Sequence, residues 1–156
     1  MSCIRFNTPA QRAQLDRLKY DKGLANTAIA QFLSPEVTES KIARLISMAS
    51  DKNPKIRESA ALSVHLPDAE RAKLAKDRVE SVRVCVARNE ATSCDILRVL
   101  AKDKSATVRS WVAVNFFVPA DVMADLEHDE SPEVRKLVDW KRGLAVEAGE
   151  LNAQVS

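Results

Sequence analysis

Polar and apolar positions along the chain recur at a fixed step. Asp51, Asp77, Asp103 and Asp129 lie 26 residues apart, and each leads to an aliphatic residue followed by arginine: Ile56-Arg57, Val82-Arg83, Val108-Arg109 and Val134-Arg135. Further columns keep the step, with Ala60, Val86, Val112 and Val138, then Ala61, Ala87 and Ala113, and later Leu74, Leu100 and Leu126. Ile56, Ala60 and Val64, or Val108, Val112 and Phe116, share the four-residue spacing of one helical face. Asn53-Pro54, Ser105 and Ser131-Pro132 supply the cap and first-turn residues that start such a helix. A second, shorter apolar run follows in each unit, as in Ala69 to Ala75, Ile96 to Ala101 and Val122 to Leu126, with Pro67 and Pro119 at its entry. Each unit is therefore predicted to be a helix pair.

A period of this length is that of stacked units, each burying its apolar face against its neighbours. The fold class expected is all-α, a right-handed α-solenoid of about four to five helical hairpins. Residues 1–156 form one domain on this reading. Thr8 to Lys22 predicts a separate leading helix that caps the stack over residues 1–23, with Gly23 closing it. Residues 24–50 resemble a degenerate first unit, in which Ile42, Leu45 and Met48 keep the second-helix columns despite an insertion around Pro35. Residues 51–142 hold the regular units. Asp139 replaces the alanine of its column and the leucine column is lost after Gly143, so residues 143–156 are expected to be a tail, frayed from Gly149 onward.

Composition agrees with a helical globular chain: 46% apolar, 29% charged, 4% aromatic and only 3 glycines. No apolar stretch approaches the roughly 20 residues needed to span a bilayer, and the opening residues do not read as a secretory leader, so a cytoplasmic protein is expected. Cys3, Cys85 and Cys94 form no Cys-x-x-Cys pair, and His65 and His128 occupy different columns; neither set builds a recurrent metal site. Catalytic motifs at diagnostic spacing are also missing, and no enzyme is expected. The net charge of +2 is modest for a protein held on DNA by phosphate neutralisation.

The run from Val82 to Asn89, Val-Arg-Val-Cys-Val-Ala-Arg-Asn, followed by Leu97, Leu100-Ala101 and Asp103, resembles the leucine-rich repeat variant within the broader HEAT-like helical repeat class. Val108-Arg109, Ala113, Asn115, Pro119 and Leu126 carry the same resemblance. It implies scaffolds and recognition surfaces, with a minority that bind DNA. Some variant-repeat proteins carry an N-terminal cysteine cluster for an iron–sulfur group; here Cys3 stands alone, and no cofactor is expected.

Two kinds of column remain. Recurrent charges invite a structural reading: each arginine has an aspartate six residues before it, and an Asp–Arg ladder fastening the stack accounts for both, where a phosphate-binding arginine row accounts for one. Asn89 and Asn115 share a column near the end of the first helix, suited to satisfying free carbonyls or to a left-handed turn. Variable columns point outward instead. Ser59, Cys85, Trp111 and Leu137 share one, and Leu62, Arg88, Val114 and Trp140 share another three residues on. In the last two units Trp111, Val114, Val118, Leu137, Trp140 and Leu144 would form an apolar stripe, and Arg88, Lys136, Lys141 and Arg142 a basic rim. Filling of the inter-helix groove is the competing reading for the two tryptophans. The partner-binding set expected is Trp111, Trp140, Leu137, Val114, Arg88, Lys141 and Arg142, holding a protein or peptide on a concave surface formed by the first helices of successive units, as an adaptor, inhibitor or immunity-type module. A helical-repeat nucleic-acid binder of the DNA glycosylase type is the alternative, and self-association as a homodimer through the Trp140 end is a third.

Overall fold

The computed structural model describes residues 37–154, with side chains to residue 144. The expected capping helix, and residues 24–36 of the degenerate unit, lie outside the described residues. Among those described there are eight helices and no strand: α1 (Glu39–Ala49), α2 (Pro54–Ala61), α3 (Asp68–Leu74), α4 (Glu80–Arg88), α5 (Cys94–Leu100), α6 (Ala106–Val114), α7 (Ala120–Leu126) and α8 (Pro132–Gln154). The chain is all-helical over this span. Of these helices only α8 is long enough to be considered as a membrane span, and none is both long and apolar enough to cross a membrane.

Local chemistry sets the helix starts. Asn53 caps α2 by accepting the Lys55 N–H at 2.9 Å, and Pro54 occupies the first turn, where its missing N–H costs nothing. Before α4, α6 and α8 the aspartate does the work. Its Oδ1 accepts the N–H two residues on, Asp77 from Val79 at 2.8 Å, Asp103 from Ser105 at 2.8 Å and Asp129 from Ser131 at 2.8 Å. The carboxylate thereby folds the connecting turn that aims the next helix.

Four helices, α2, α4, α6 and α8, pack in succession, and the shorter α3, α5 and α7 lie between them in sequence and against them in space. Val82 and Val86, Val108 and Val112, and Val134 and Val138 are fully buried at the i, i+4 positions of one helical face. Leu74, Leu100 and Leu126 close the core from the short helices. Ala61, Ala87 and Ala113 are fully buried, and their small side chains let neighbouring helices approach closely.

Two expectations need correction. Val64 and Phe116 do not continue the core face: they are 57% and 62% exposed. The helices end before them, at Ala61 and Val114: Asn115, with φ −60° and ψ 137°, is already extended, while Leu62 closes α2 still in helical geometry, its N–H bonded to the carbonyl of Glu58. Of the tail expected over residues 143–156, residues 143–154 are the second half of α8, which runs unbroken through Gly143 and Gly149 to Gln154; residues 155–156 lie outside the described residues. Neither glycine has a positive φ, and the intervening alanine, leucine and glutamate residues favour helix enough to carry them. Asp139 is exposed where the three alanines of its column are buried.

Candidate binding surface

The recurrent charges are consumed internally, in a pattern the spacing only half revealed. Arg57 Nε and Nη2 donate to both carboxylate oxygens of Asp77 at 2.6 and 2.9 Å, while Nη1 donates to the backbone carbonyl of Asp51 at 2.8 Å. Arg83 holds Asp103 at 2.6 and 3.0 Å and the Asp77 carbonyl at 2.8 Å. Arg109 holds Asp129 at 2.7 and 2.9 Å and the Asp103 carbonyl at 2.7 Å. The aspartate six residues earlier thus offers its carbonyl, and the carboxylate comes from twenty residues ahead. One planar guanidinium bridges two successive turns.

Burial raises the pKa of Asp77 and Asp103, but hydrogen bonds from Arg57 and Arg83, the capped N–H and the arginine charge outweigh it and hold both below the usual carboxylate range. At Asp129 the hydrogen bond from Arg109 is the largest influence and, with the Ser131 N–H, holds the carboxyl below the usual range against burial. An open cleft of about 410 Å³ lies over this ladder, lined by Lys102, Asp103, Lys104, Arg109, Asp129 and Glu130. Arg109 is already spent on Asp129 and on Glu130, at 3.0 Å.

The asparagine column is a second fastening. Asn89 Nδ2 donates to the carbonyls of Ala61 and Ser63 at 2.7 and 3.1 Å, and Asn115 Nδ2 to those of Ala87 and Asn89 at 2.7 and 3.2 Å. Both amides satisfy the free carbonyls at the end of the preceding first helix, and Asn89, with φ −74°, is not left-handed. Lys141 belongs to the same column. Its ammonium donates to the carbonyl of Ala113 at 2.9 Å and to that of Asn115. Burial pushes its pKa down to about 8. Lys141 was expected on a basic rim; its reach is inward, because the carbonyls at the end of α6 need a donor and the asparagine is missing.

Arg142 is also engaged, paired with Glu127 while remaining exposed. Counting the asparagine column forward one step would have found Lys141. A similar count would have flagged Arg71, which stands where Leu97 stands one unit later. Arg71 is 2% exposed and donates to Asp68 at 2.6 Å, to the Ala91 carbonyl at 2.9 Å and to the Ser63 carbonyl at 3.2 Å; its Nε is buried without a partner.

The variable columns are exposed in part. Trp140 is 56% exposed and Trp111 36%, with Leu62 and Leu144 also exposed. Val114 is half-buried, and Val118 and Leu137 are half-buried against the core. Arg88, the last residue of α4, lies over the Trp111 ring with its guanidinium carbon 4.4 Å from the centroid, a cation–π contact between neighbouring helices. Among the described residues no hydrogen bond or ion pair engages its N–H groups. Leu62, the residue after α2, shares one 26-residue column with Arg88 of α4, Val114 of α6 and Trp140 of α8, and Trp111 lies about one turn before Val114. Cys85, in the column of Trp111, is buried, and burial pushes its thiol pKa up. Among the described residues no group of three histidine, cysteine, aspartate or glutamate side chains is placed to hold a metal ion. Comparison of the chain with family models, with curated proteins and with solved structures finds no match in any of the three.

Proposed function

We propose that this chain is a right-handed α-solenoid with a 26-residue period, similar to the HEAT-like and leucine-rich repeat variant class. It works without chemistry of its own, binding a protein or peptide on the concave surface formed by its first helices. The first helices would be α2, α4, α6 and α8, whose starts at residues 54, 80, 106 and 132 support the period. The observation that carries the reading is the division of labour among side chains. Recurrent arginines, aspartates and asparagines are spent on the stack, while the exposed indoles of Trp111 and Trp140 and the Arg88 stacked on Trp111 are not; Val114 and Leu137 flank them, Leu137 with one side on the core. Tryptophan and arginine are the residues most enriched where binding energy concentrates.

The same division weakens the nucleic-acid alternative. Phosphate binding draws on several free cations, and of the expected rim Lys141 is held by carbonyls and Arg142 by Glu127. The test is capture of a partner from the native cell by the intact chain and by Trp111→Ala/Trp140→Ala. Loss of that partner from the double variant at unchanged helicity is the expected result; undiminished capture contradicts the proposal.

A further inference from the structure

Beyond the surface of Trp111 and Trp140, we infer that the turns before α2, α4 and α6 form a second one, a cationic edge that binds the phosphate backbone of a double-helical nucleic acid without reading its sequence. These turns carry Lys52, then Lys76 and Arg78, then Lys102 and Lys104, and all five residues are exposed. Among the described residues no hydrogen bond or ion pair engages their cationic groups.

The guanidinium ladder sets the three turns side by side. Arg57 Nη1 donates to the carbonyls of Asp51 and Lys52 at 2.8 and 3.1 Å while its other nitrogens hold Asp77. Arg83 repeats this one turn on, Nη1 reaching the carbonyls of Asp77 and Arg78 at 2.8 and 3.4 Å while Nε and Nη2 hold Asp103. Lys102 and Lys104 both line the open cleft over the ladder. In the turn before α8, His128 and Glu130 stand where the two cations stood, and the row ends.

Burial of the aspartates makes the edge cationic. In sequence the second and third turns read Lys-Asp-Arg and Lys-Asp-Lys, an alternation in keeping with a net charge of only +2. In the structure the side chains of Asp77 and Asp103 are each 9% exposed and gripped by arginines that are themselves buried, so each pair is neutral and turned inward. What reaches water is the cation on either side. Glu80 is the one exposed carboxylate among residues 50–54, 76–80 and 102–106.

The same residues select the partner. Lysine supplies phosphate contacts and is depleted where proteins meet proteins, and all but one of these cations are lysine. The residues exposed beside them, Ser50, Asn53 and Glu80, are polar. They offer neither an apolar anchor for a protein nor an aromatic ring on which a single strand could stack its bases. An anionic bilayer presents its charge over a plane, whereas these cations follow one row from turn to turn, as phosphates follow a backbone. The edge lies at the starts of α2, α4 and α6, and Arg88 and Val114 close α4 and α6 at the other end, so the two surfaces are separate.

Fluorescence anisotropy of labelled DNA duplexes of two unrelated sequences, titrated with the intact chain across a salt series, tests this. Both duplexes should bind alike, and the slope of log affinity against log salt should be about −0.9 for each phosphate met, about −4.5 if every cation of the row engages. Lys102→Gln/Lys104→Gln should flatten that slope by about 2 and weaken binding about tenfold or more at low salt, at unchanged melting. The matched pair Lys136→Gln/Arg142→Gln should change neither, and Trp111→Ala/Trp140→Ala should leave duplex binding intact. Absence of binding even at low salt, an equal loss from the two charge-matched variants, or a loss with the tryptophans overturns the inference. So does tighter binding of a single strand, of poly-glutamate of equal charge or of phosphatidylserine vesicles than of the duplex, which would give the edge to another class of partner.

Discussion

Replacing Arg83 by methionine keeps the aliphatic stem of the side chain and deletes the guanidinium from the middle of the ladder. The variant loses two bonds to Asp103, at 2.6 and 3.0 Å, and the bond to the Asp77 carbonyl at 2.8 Å. Asp103 keeps the turn before α6, because its Oδ1 still accepts the Ser105 N–H. The two side chains are 6% and 9% exposed, so this pair belongs with buried ion pairs, where removing one partner costs about 3–5 kcal/mol, and not with surface pairs worth at most about 1 kcal/mol. With a denaturant dependence of about 2 kcal/mol per molar, the urea midpoint should fall by roughly 2 M. Acid should narrow the gap. In the parent chain Asp103 is held below the usual carboxylate range, so its contribution is complete above the unfolded value of about 4 and is lost as pH falls through the lower folded value. In the variant burial acts on Asp103 without the arginine to oppose it, and the carboxylate takes up its proton earlier. Urea unfolding followed by circular dichroism at pH 7 and at stepwise lower pH checks both points. A loss below about 1 kcal/mol at neutral pH, or a gap that stays constant on acidification, refutes the bridging role.

Lys141→Asn restores the amide of its column and removes a half-buried charge, so it should stabilise the fold at pH 7 by about 1 kcal/mol in urea unfolding. Because the folded pKa of Lys141 is lowered to about 8, the unfolded chain holds a proton that the folded chain releases above that pH. The stability of the parent chain therefore rises between about pH 8 and 10, and the advantage of the variant should shrink there. Asn115→Ala leaves the Ala87 and Asn89 carbonyls without their donor and should cost about 1–3 kcal/mol, measured the same way. Gly143→Ala should stabilise α8 by up to about 1 kcal/mol in thermal melting, since a Cβ there meets nothing within 4 Å.

Much of the framework was legible because it rests on local rules repeated several times. Asn53-Pro54 and Pro132 mark helix starts wherever they occur, and the i, i+4 valines mark the buried face without reference to neighbours. What the spacing hid was pairing between units. An aspartate six residues before an arginine and another twenty after it are equally available in one dimension; only the packed helices show that the nearer supplies a carbonyl and the farther a carboxylate. The basic rim was misjudged for a related reason. Arg142 and Lys141 look alike as surface charges until Glu127 and the carbonyls ending α6 are brought beside them. The continuation of α8 past Gly143 was missed because a glycine read as a stop is tolerated where the flanking residues favour helix and no left-handed turn is required.

The unfolding free energy of Trp111→Ala/Trp140→Ala, set against the parent chain, tests most directly whether the exposed flank is free for a partner. Two half-exposed indoles and one cation–π contact predict a combined loss of less than about 2 kcal/mol. A loss of roughly 6 kcal/mol or more, the cost of truncating two core aromatic residues, would place both indoles in the interior and contradict the account.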